Sequence, residues 1–205
     1  MMTKEQLAGM RKEDIPAVSA AVDAADLPVL AEWLTEKDDT VRYHAFLLLQ
    51  SRSAATADVY PFWDRFSDML KSANSYHRSI GLMLVAENAK WDELNKTDAV
   101  ISDYLLLLHD EKPITVRQCI QSLGKIIPYK NQLLPVIADK LMSLDLSKIR
   151  ETMRKSVLTD IVAALAEIQR IRPADKIGRY ILDALTGGLL DKKAAKMIES
   201  KLSIL

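Results

Sequence analysis

The residues able to perform nucleophilic or metal chemistry are few in this sequence: the histidines His44, His77 and His109, and the single cysteine Cys119. The histidines are separated by 33 and 32 residues, which matches no His, Cys or Asp spacing typical of a metal site. No base is predicted beside Cys119 to activate its thiol. A glycine-rich phosphate loop is also missing from the sequence. We therefore predict no catalytic residue, no metal site and no cofactor.

The balance of charges constrains the kind of partner. The sequence contains 28 Lys and Arg against 28 Asp and Glu, whereas a general nucleic-acid binder carries a basic excess. The charges are divided unevenly, with 11 basic and 16 acidic side chains in residues 1–100, against 17 and 12 in residues 101–205. This asymmetry could steer one kind of partner to each half, or it could be a chance scatter of solvated charges. The sequence leaves both interpretations of the asymmetry open. The balanced net charge argues against a nucleic-acid partner.

Cysteine usage and apolar runs bear on the compartment. One cysteine cannot form an internal disulfide, which suits a reducing compartment. The first residues, MMTKEQLAGMRKEDIP, carry charges where a signal peptide has its apolar core. The longest apolar runs, such as YLLLLH at 104–109, are too short to span a bilayer. We predict a cytoplasmic protein that does not interact with membranes, and its oligomeric state is left open.

A recurring arginine indicates how the chain is organised. Arg42, Arg78, Arg117 and Arg154 follow one another at steps of 36, 39 and 37 residues, and Lys193 stands 39 residues further on. Polar residues that favour a helix N-cap precede each of them. With 49 % hydrophobic residues, few glycines and no sheet-like alternation, the composition predicts an all-α fold. The period therefore predicts one helix pair per unit.

Apolar periodicity places two helices in each unit. The predicted first helices are 26–36, 59–72, 97–109, 132–144 and 175–186. The predicted second helices are 40–54, 76–90, 115–128, 151–171 and 189–203. The units then cover 24–55, 59–90, 97–130, 132–172 and 175–205, in a single repeat domain over 23–205 that follows an N-terminal helix or tail at 1–22.

Paired helices, a period of 36–39 residues and an acid-x-Val-Arg start to the second helix resemble the HEAT repeat family. The resemblance covers residues 24–203 and is closest at Asp39-Thr-Val-Arg42; it weakens to YHR and TMR in the second and fourth units. It implies a right-handed α-α superhelix (a solenoid) of about five helix pairs. It also implies a structural ladder of Arg42, Arg78, Arg117 and Arg154, in which each arginine packs along the neighbouring unit and pairs with an upstream carboxylate.

In such a solenoid the second helices line a concave surface, which is the usual binding side. Aligning the units on Val41, His77, Val116 and Met153 gives core columns four and seven positions later. The column seven positions later consists of leucines, except for Asp160. Columns two, six and nine positions later share another helix face. That face starts apolar and becomes polar and basic, which suits a protein or peptide partner or an ordinary solvated surface. The predicted partner-binding residues are Tyr43, Leu47, Met83, Gln118, Lys125 and Lys155.

The resemblance leaves several functions open, because HEAT arrays include scaffolds, adaptors and a few enzymes. We expect a non-catalytic scaffold or adaptor that binds a protein through its concave face. An assembly or lyase-type helper acting on a partner protein is an alternative. A HEAT-like DNA glycosylase for alkylated bases is another, and it would need accessible tryptophans. Trp33 and Trp63 are predicted in the core, whereas Trp91, just past a second helix, could be exposed.

Overall fold

The computed structural model describes residues 2–202, and these residues form twelve α-helices and no β-strand. The observation confirms the all-α fold class. Several helices are extended by a 3-10 turn at one end. The helices are α1 (Lys4–Ala8), α2 (Ile15–Ala21), α3 (Leu27–Trp33), α4 (Asp39–Ala55), α5 (Trp63–Met69), α6 (Ser75–Asn88), α7 (Lys96–Leu106), α8 (Pro113–Ile126), α9 (Leu134–Met142), α10 (Glu151–Ile171), α11 (Asp175–Thr186) and α12 (Lys192–Leu202).

All ten predicted helices are present. Helices α10 and α11 begin and end at the predicted residues, 151–171 and 175–186. The predicted segment 189–203 corresponds to α12, and its final residue lies outside the described part of the chain, as do the last three positions of the predicted unit 175–205. The N-terminal segment, predicted as a helix or tail, contains two helices, α1 and α2, both of which pack against α4.

Capping of the second helices differs between the early and the late units. Asp38 accepts hydrogen bonds from the backbone N–H groups of the first turn of α4, and Asn74 does the same for α6. Neither α8 nor α10 has a side-chain cap, so the predicted recurrence of a polar N-cap is wrong for these two helices. In α8 the first residue is Pro113, which has no N–H to satisfy and fits the first helical position.

The chain divides into two compact units, residues 1–100 and 101–205, and α7 begins in one and ends in the other. In the first unit α4 packs against α2 and α6; in the second, α10 packs against α8 and α12. Each unit therefore contains a row of stacked second helices, in which α2 takes the place of one more such helix. The prediction of a single repeat domain over 23–205 stays a prediction.

The predicted core columns lie inside these units. Leu48, Leu84 and Leu123 are at most 1 % exposed, and Asp160, which replaces leucine in this column, is half-buried. Gly81, which belongs to the other core column, lies directly against α5. A Cβ added at this position would lie 2.7 Å from the Cβ of Met69 and 2.7 Å from the carbonyl oxygen of Phe66. Only glycine therefore allows α5 and α6 their present distance.

Hydrogen bonds link equivalent places in successive helix pairs. Their partners stand 32–37 positions apart, close to the period of the sequence. They include Ser19 with Ser51 (2.7 Å), Asn88 with Ser53 (3.0 Å), Lys96 with Asp64 (2.8 Å) and Lys176 with Asp139 (2.5 Å). The repeated sequence spacing thus corresponds to repeated contacts in space within each unit.

The recurrent arginines act on the loops that precede their own helices. Arg42 is 7 % exposed and donates to the carbonyl oxygen of Glu36 and to the carboxylate of Asp39. The side chains of Arg78 and Arg154 likewise donate to carbonyl oxygens of the preceding loop. Carbonyls that follow a helix have no partner within the helix, and a guanidinium with five donors satisfies several of them. Arg117 behaves differently, and its contacts lead to the candidate site.

Within residues 2–202 no helix combines the length and apolar character needed to cross a bilayer.

Candidate binding face of the second unit

An ion pair between α8 and α10 marks the centre of the candidate face. The Nε of Arg117 donates to Asp160 Oδ2 at 2.7 Å, and Nη2 lies 3.3 Å from Oδ1. The Asp160 side chain is 12 % exposed and that of Arg117 is 29 % exposed. The hydrogen bond to Asp160 raises the pKa of the Arg117 guanidinium above its ordinary value. The aspartate that interrupts the leucine column therefore has a partner on the neighbouring second helix.

Gln121 completes the environment of this carboxylate. Its Nε2 donates to Asp160 Oδ1 at 3.1 Å, one helical turn after Arg117. Two side chains of α8 thus hold one carboxylate of α10 at the edge of the core. Charge-assisted hydrogen bonds of this kind are stronger than neutral ones and fix the rotation of one helix against the other.

Two open grooves flank Asp160. The first, which we call the Gly124 groove, has a volume of about 220 Å³. Gly124 leaves it open, because a Cβ added there would meet no atom within 4 Å. Its lining includes Gln121, Gly124, Asp160, Ala163, Glu167 and Lys201. Small residues on α8 and α10 therefore create a depression in the second-helix face, and Glu167 and Lys201 add charge to its wall.

The second depression, which we call the Met197 groove, lies on the other side of Asp160 and has a volume of about 290 Å³. Its lining includes Lys155, Thr159, Asp160, Lys193, Ala194 and Met197. Met197 is 36 % exposed. The groove thus presents apolar and charged groups side by side between α10 and α12, as a polypeptide-binding surface does.

A second ion pair joins α10 to the start of α12 in this groove. Lys155 binds Asp191, whose carboxylate also accepts the backbone N–H of Ala194 at 2.8 Å. The hydrogen bond to Lys155, followed by that to Ala194, lowers the pKa of Asp191 below its ordinary value. Both acids of the groove are therefore already paired with cations, whereas Lys193 has no ion-pair partner among residues 2–202.

Three predicted partner-binding residues lie in the first unit. Tyr43 is 42 % exposed, and the ammonium of Lys12 stands 5.0 Å from the centre of its ring. Leu47 and Met83 are half-buried, on α4 and α6 respectively. The stacking of α2 on α4 brings the N-terminal segment next to Tyr43, the first residue of the predicted apolar patch.

The other three lie in the second unit. Lys155 lines the Met197 groove, and Lys125 is exposed on α8 next to Gly124. Gln118 is half-buried, and its Oε1 is buried without a hydrogen-bond partner within the described residues. Only Lys155 of these three is among the residues that line the two grooves. The role of all six in partner binding stays a prediction.

Most of the residues that line the grooves, among them Lys193 and Met197, were not predicted as site residues. The sequence identified Lys193 only as the fifth member of the arginine series, and Met197 had no signal of its own. Asp160 was visible as an exception in a leucine column, but its partners Arg117 and Gln121 could not be inferred from one helix at a time.

The histidines and the cysteine have structural contacts. The Nδ1 of His44 lies 2.7 Å from the carbonyl oxygen of Leu7, and His77 lies 3.3 Å from the hydroxyl of Ser72. Burial raises the pKa of the Cys119 thiol well above its ordinary value, so the thiol is protonated at neutral pH. No group of three or more His, Cys, Asp or Glu side chains in residues 2–202 is arranged to hold a metal ion.

Two tryptophans contribute to packing in the first unit. Trp63 is 1 % exposed in the core. The indole N–H of Trp91 donates to the carbonyl oxygen of Ser53 at 2.7 Å, and the ammonium of Lys90 lies 4.7 Å from the indole ring centre. Trp91, for which the sequence allowed an exposed position, is half-buried.

Comparison of the sequence with models of known protein families finds no match, and comparison with curated proteins finds none either.

Proposed function

We propose that this protein is a non-catalytic scaffold or adaptor built from HEAT-like repeats, which binds a protein partner through the face formed by its second helices. The helix pairs would continue as a right-handed α-α superhelix, and the protein would act in the cytoplasm. The family assignment, the superhelix and the compartment are parts of the same proposal.

The repeat architecture is supported by the agreement between sequence period and contacts. Arginines recur every 36–39 residues, and the hydrogen bonds between helix pairs join residues about one period apart. Within each unit, second helix packs on second helix, as in stacked repeats. The sequence period also continues without interruption from the first unit into the second.

The observation that carries the binding function is the pair of open grooves on either side of Asp160. Both lie on second helices, which present the binding surface in most solenoids. Each combines small, apolar and charged side chains at a scale that accommodates single side chains of a partner. A partly buried ion pair between them keeps the helices in register, so that the surface is preorganised and little ordering is needed on binding.

The proposal can be tested by placing a photoreactive amino acid on opposite sides of the helix pairs in the full-length protein. Position 43 on α4 and position 159 on α10 sample the second-helix face. Position 68 on α5 and position 136 on α9 are exposed positions on first helices and serve as matched controls in the same units. After irradiation in native lysate, we expect a defined protein adduct at 43 or 159 and none at 68 or 136.

Two results would contradict the proposal. Adducts confined to positions 68 and 136 would place the binding surface on the first helices. Absence of a protein adduct at all four positions, with the incorporated groups shown to be reactive, would count against a protein-binding scaffold.

A further inference from the structure

The second-helix faces of the two units differ in charge. In the second unit, helices α8, α10 and α12 together carry nine Lys and Arg side chains against four Asp and Glu. In the first unit, α2, α4 and α6 carry three against two. The basic excess is therefore concentrated on one row of second helices, and four of its nine cations belong to α12 alone.

The Met197 groove is where this excess meets a defined shape. Asp160 is neutralised by Arg117 and Asp191 by Lys155, so neither acid is left to pair with an incoming cation. Lys193 is exposed, lines the groove and has no ion-pair partner among residues 2–202. The groove consequently has one more cation than acids, and that cation is accessible.

The floor of the same groove accepts an apolar side chain. Met197 is 36 % exposed and flexible, which suits contact with varied partners. Ala194 and Thr159 lie beside it and are too small to fill the space. An aliphatic side chain entering here would displace water from all three, and its neighbours in sequence would lie near Lys193 and Lys155.

We infer that the Met197 groove binds an acidic peptide segment of the partner, with one aliphatic side chain on Met197 and a carboxylate directed to Lys193. This inference rests on the proposed function and specifies the partner's chemistry. Charge complementarity disfavours a basic segment, because the one unpaired charge of the groove within residues 2–202, on Lys193, is positive. A nucleic acid is disfavoured, because two aspartates remain in the groove and its lining contains no aromatic ring on which a base could stack.

The experiment uses the full-length protein and a fluorescein-labelled peptide of glutamates around a single leucine as the probe. Fluorescence anisotropy should report saturable binding that weakens as salt is raised. Lys193→Glu should weaken binding about tenfold, which corresponds to about 1.4 kcal/mol. Met197→Ala should weaken it about threefold, because apolar contact is lost without a change of charge. Circular dichroism of both variants verifies the fold.

Lys196→Glu is the matched control. Lys196 is an exposed residue of the same helix, and it is not among the residues that line the groove. Its substitution by Glu changes the charge by the same amount as Lys193→Glu. Lys196 lies one helical turn from Lys193 but outside the lining of the groove, so we expect its substitution to weaken binding clearly less, by about threefold or less. A probe with lysine in place of glutamate should not bind.

Three results would overturn the inference. Equal weakening by Lys193→Glu and Lys196→Glu would indicate general attraction to a basic helix. No binding of the acidic probe would exclude this ligand class. Tighter binding of a single-stranded DNA oligonucleotide, with the same order of variants, would assign the groove to nucleic acid. If the probe fails while adducts form at position 43 or 159, the proposed function stands and only this inference fails; if no adduct forms either, both fail.

Discussion

The second helices stack in the same way in the two units, but the surfaces that they form differ in packing and in charge. In the first unit Gly81 is pressed against α5, and Ser79 and Ala86 on the predicted binding columns are buried. In the second unit Gly124 faces open space and borders a groove. A glycine thus permits close packing in one place and an opening in the other. The neighbouring helix opposite the glycine determines whether close packing or an opening results. An alignment of the repeats does not contain this information.

The same contrast holds for charge. The leucine column of the first unit, Leu48 and Leu84, is buried, whereas its last member in the second unit is Asp160, held by Arg117 and Gln121. The first face is therefore specified mainly by apolar packing. The second is specified by ion pairs that leave polar grooves beside them.

The largest effect is expected from alanine at the two glycines. Gly81→Ala should lower the free energy of unfolding by about 3 kcal/mol, because the carbonyl of Phe66 and the Cβ of Met69 both stand 2.7 Å from the new Cβ. Gly124→Ala should raise it by up to about 1 kcal/mol, because alanine favours a helix and the space is open. Urea unfolding measures the free energy of unfolding of both variants. Equal changes of the same sign would contradict the predicted difference between the two glycine positions.

Removing the partner of Asp160 should have the next largest effect. Arg117→Ala should lower the free energy of unfolding by about 1–3 kcal/mol, since a partly buried carboxylate loses its charged partner. Combining Arg117→Met with Asp160→Leu restores the apolar column and should recover most of that loss. Thermal unfolding of the three proteins tests this. An unchanged melting temperature of Arg117→Ala together with lost partner binding would assign the arginine to the partner instead.

Acid should weaken the first unit through Asp58. The hydrogen bond from Arg52, and then that from Thr56, lower the pKa of Asp58 below its ordinary value. A lowered folded-state pKa gives stability that is present above the unfolded value, about 3.9, and is lost as the pH falls through the folded value. Asp58→Asn should therefore cost about 1 kcal/mol at pH 7 and make unfolding less sensitive to pH below about 4.

The matched change in the second unit is Asp191→Asn. Asp191 also has a lowered pKa, because of Lys155, but this ion pair is half exposed and screened by water. Its substitution should alter stability less than Asp58→Asn at every pH, as measured by thermal unfolding between pH 3 and pH 7. A larger effect at Asp191 would reverse the order that burial of the two pairs predicts.

The smallest effect on stability is expected on the apolar face of the first unit. Changing Tyr43 and Met83 together to Ser should lower the free energy of unfolding by about 1 kcal/mol or less, because Tyr43 is 42 % exposed and Met83 is half-buried. Affinity for a partner captured at position 43 should fall at least about tenfold. A double variant that unfolds would contradict the assignment of these columns to the surface, and one that binds fully would place the site elsewhere.

Most helices could be predicted from the sequence, because a strong apolar period fixes which residues of a helix face inward. The boundaries of α10 and α11 agree with the predicted ranges 151–171 and 175–186. Residues 2–22 were harder, because α1 and α2 have 5 and 7 residues, too few to establish a period. Their packing on α4 became evident only from contacts such as that between His44 and Leu7.

The candidate face could be predicted only in part. Alignment of the units put Lys155 on the second-helix face and marked Asp160 as unusual. The pairing of Asp160 with Arg117 depends on how α8 and α10 are rotated against each other, and the grooves depend on the distance between helices. Neither quantity is encoded in the periodicity of one helix, which is why Lys193 and Met197 were missed.

The hydrogen bonds between successive helix pairs also have a consequence for folding. Their partners stand about one repeat apart in sequence, so within a unit a helix pair contacts mainly the pairs next to it in the chain. The stability of each helix pair therefore depends mainly on its immediate neighbours. Amide hydrogens should therefore exchange through openings of one helix pair at a time, with the greatest protection in the centrally packed helices α4 and α10.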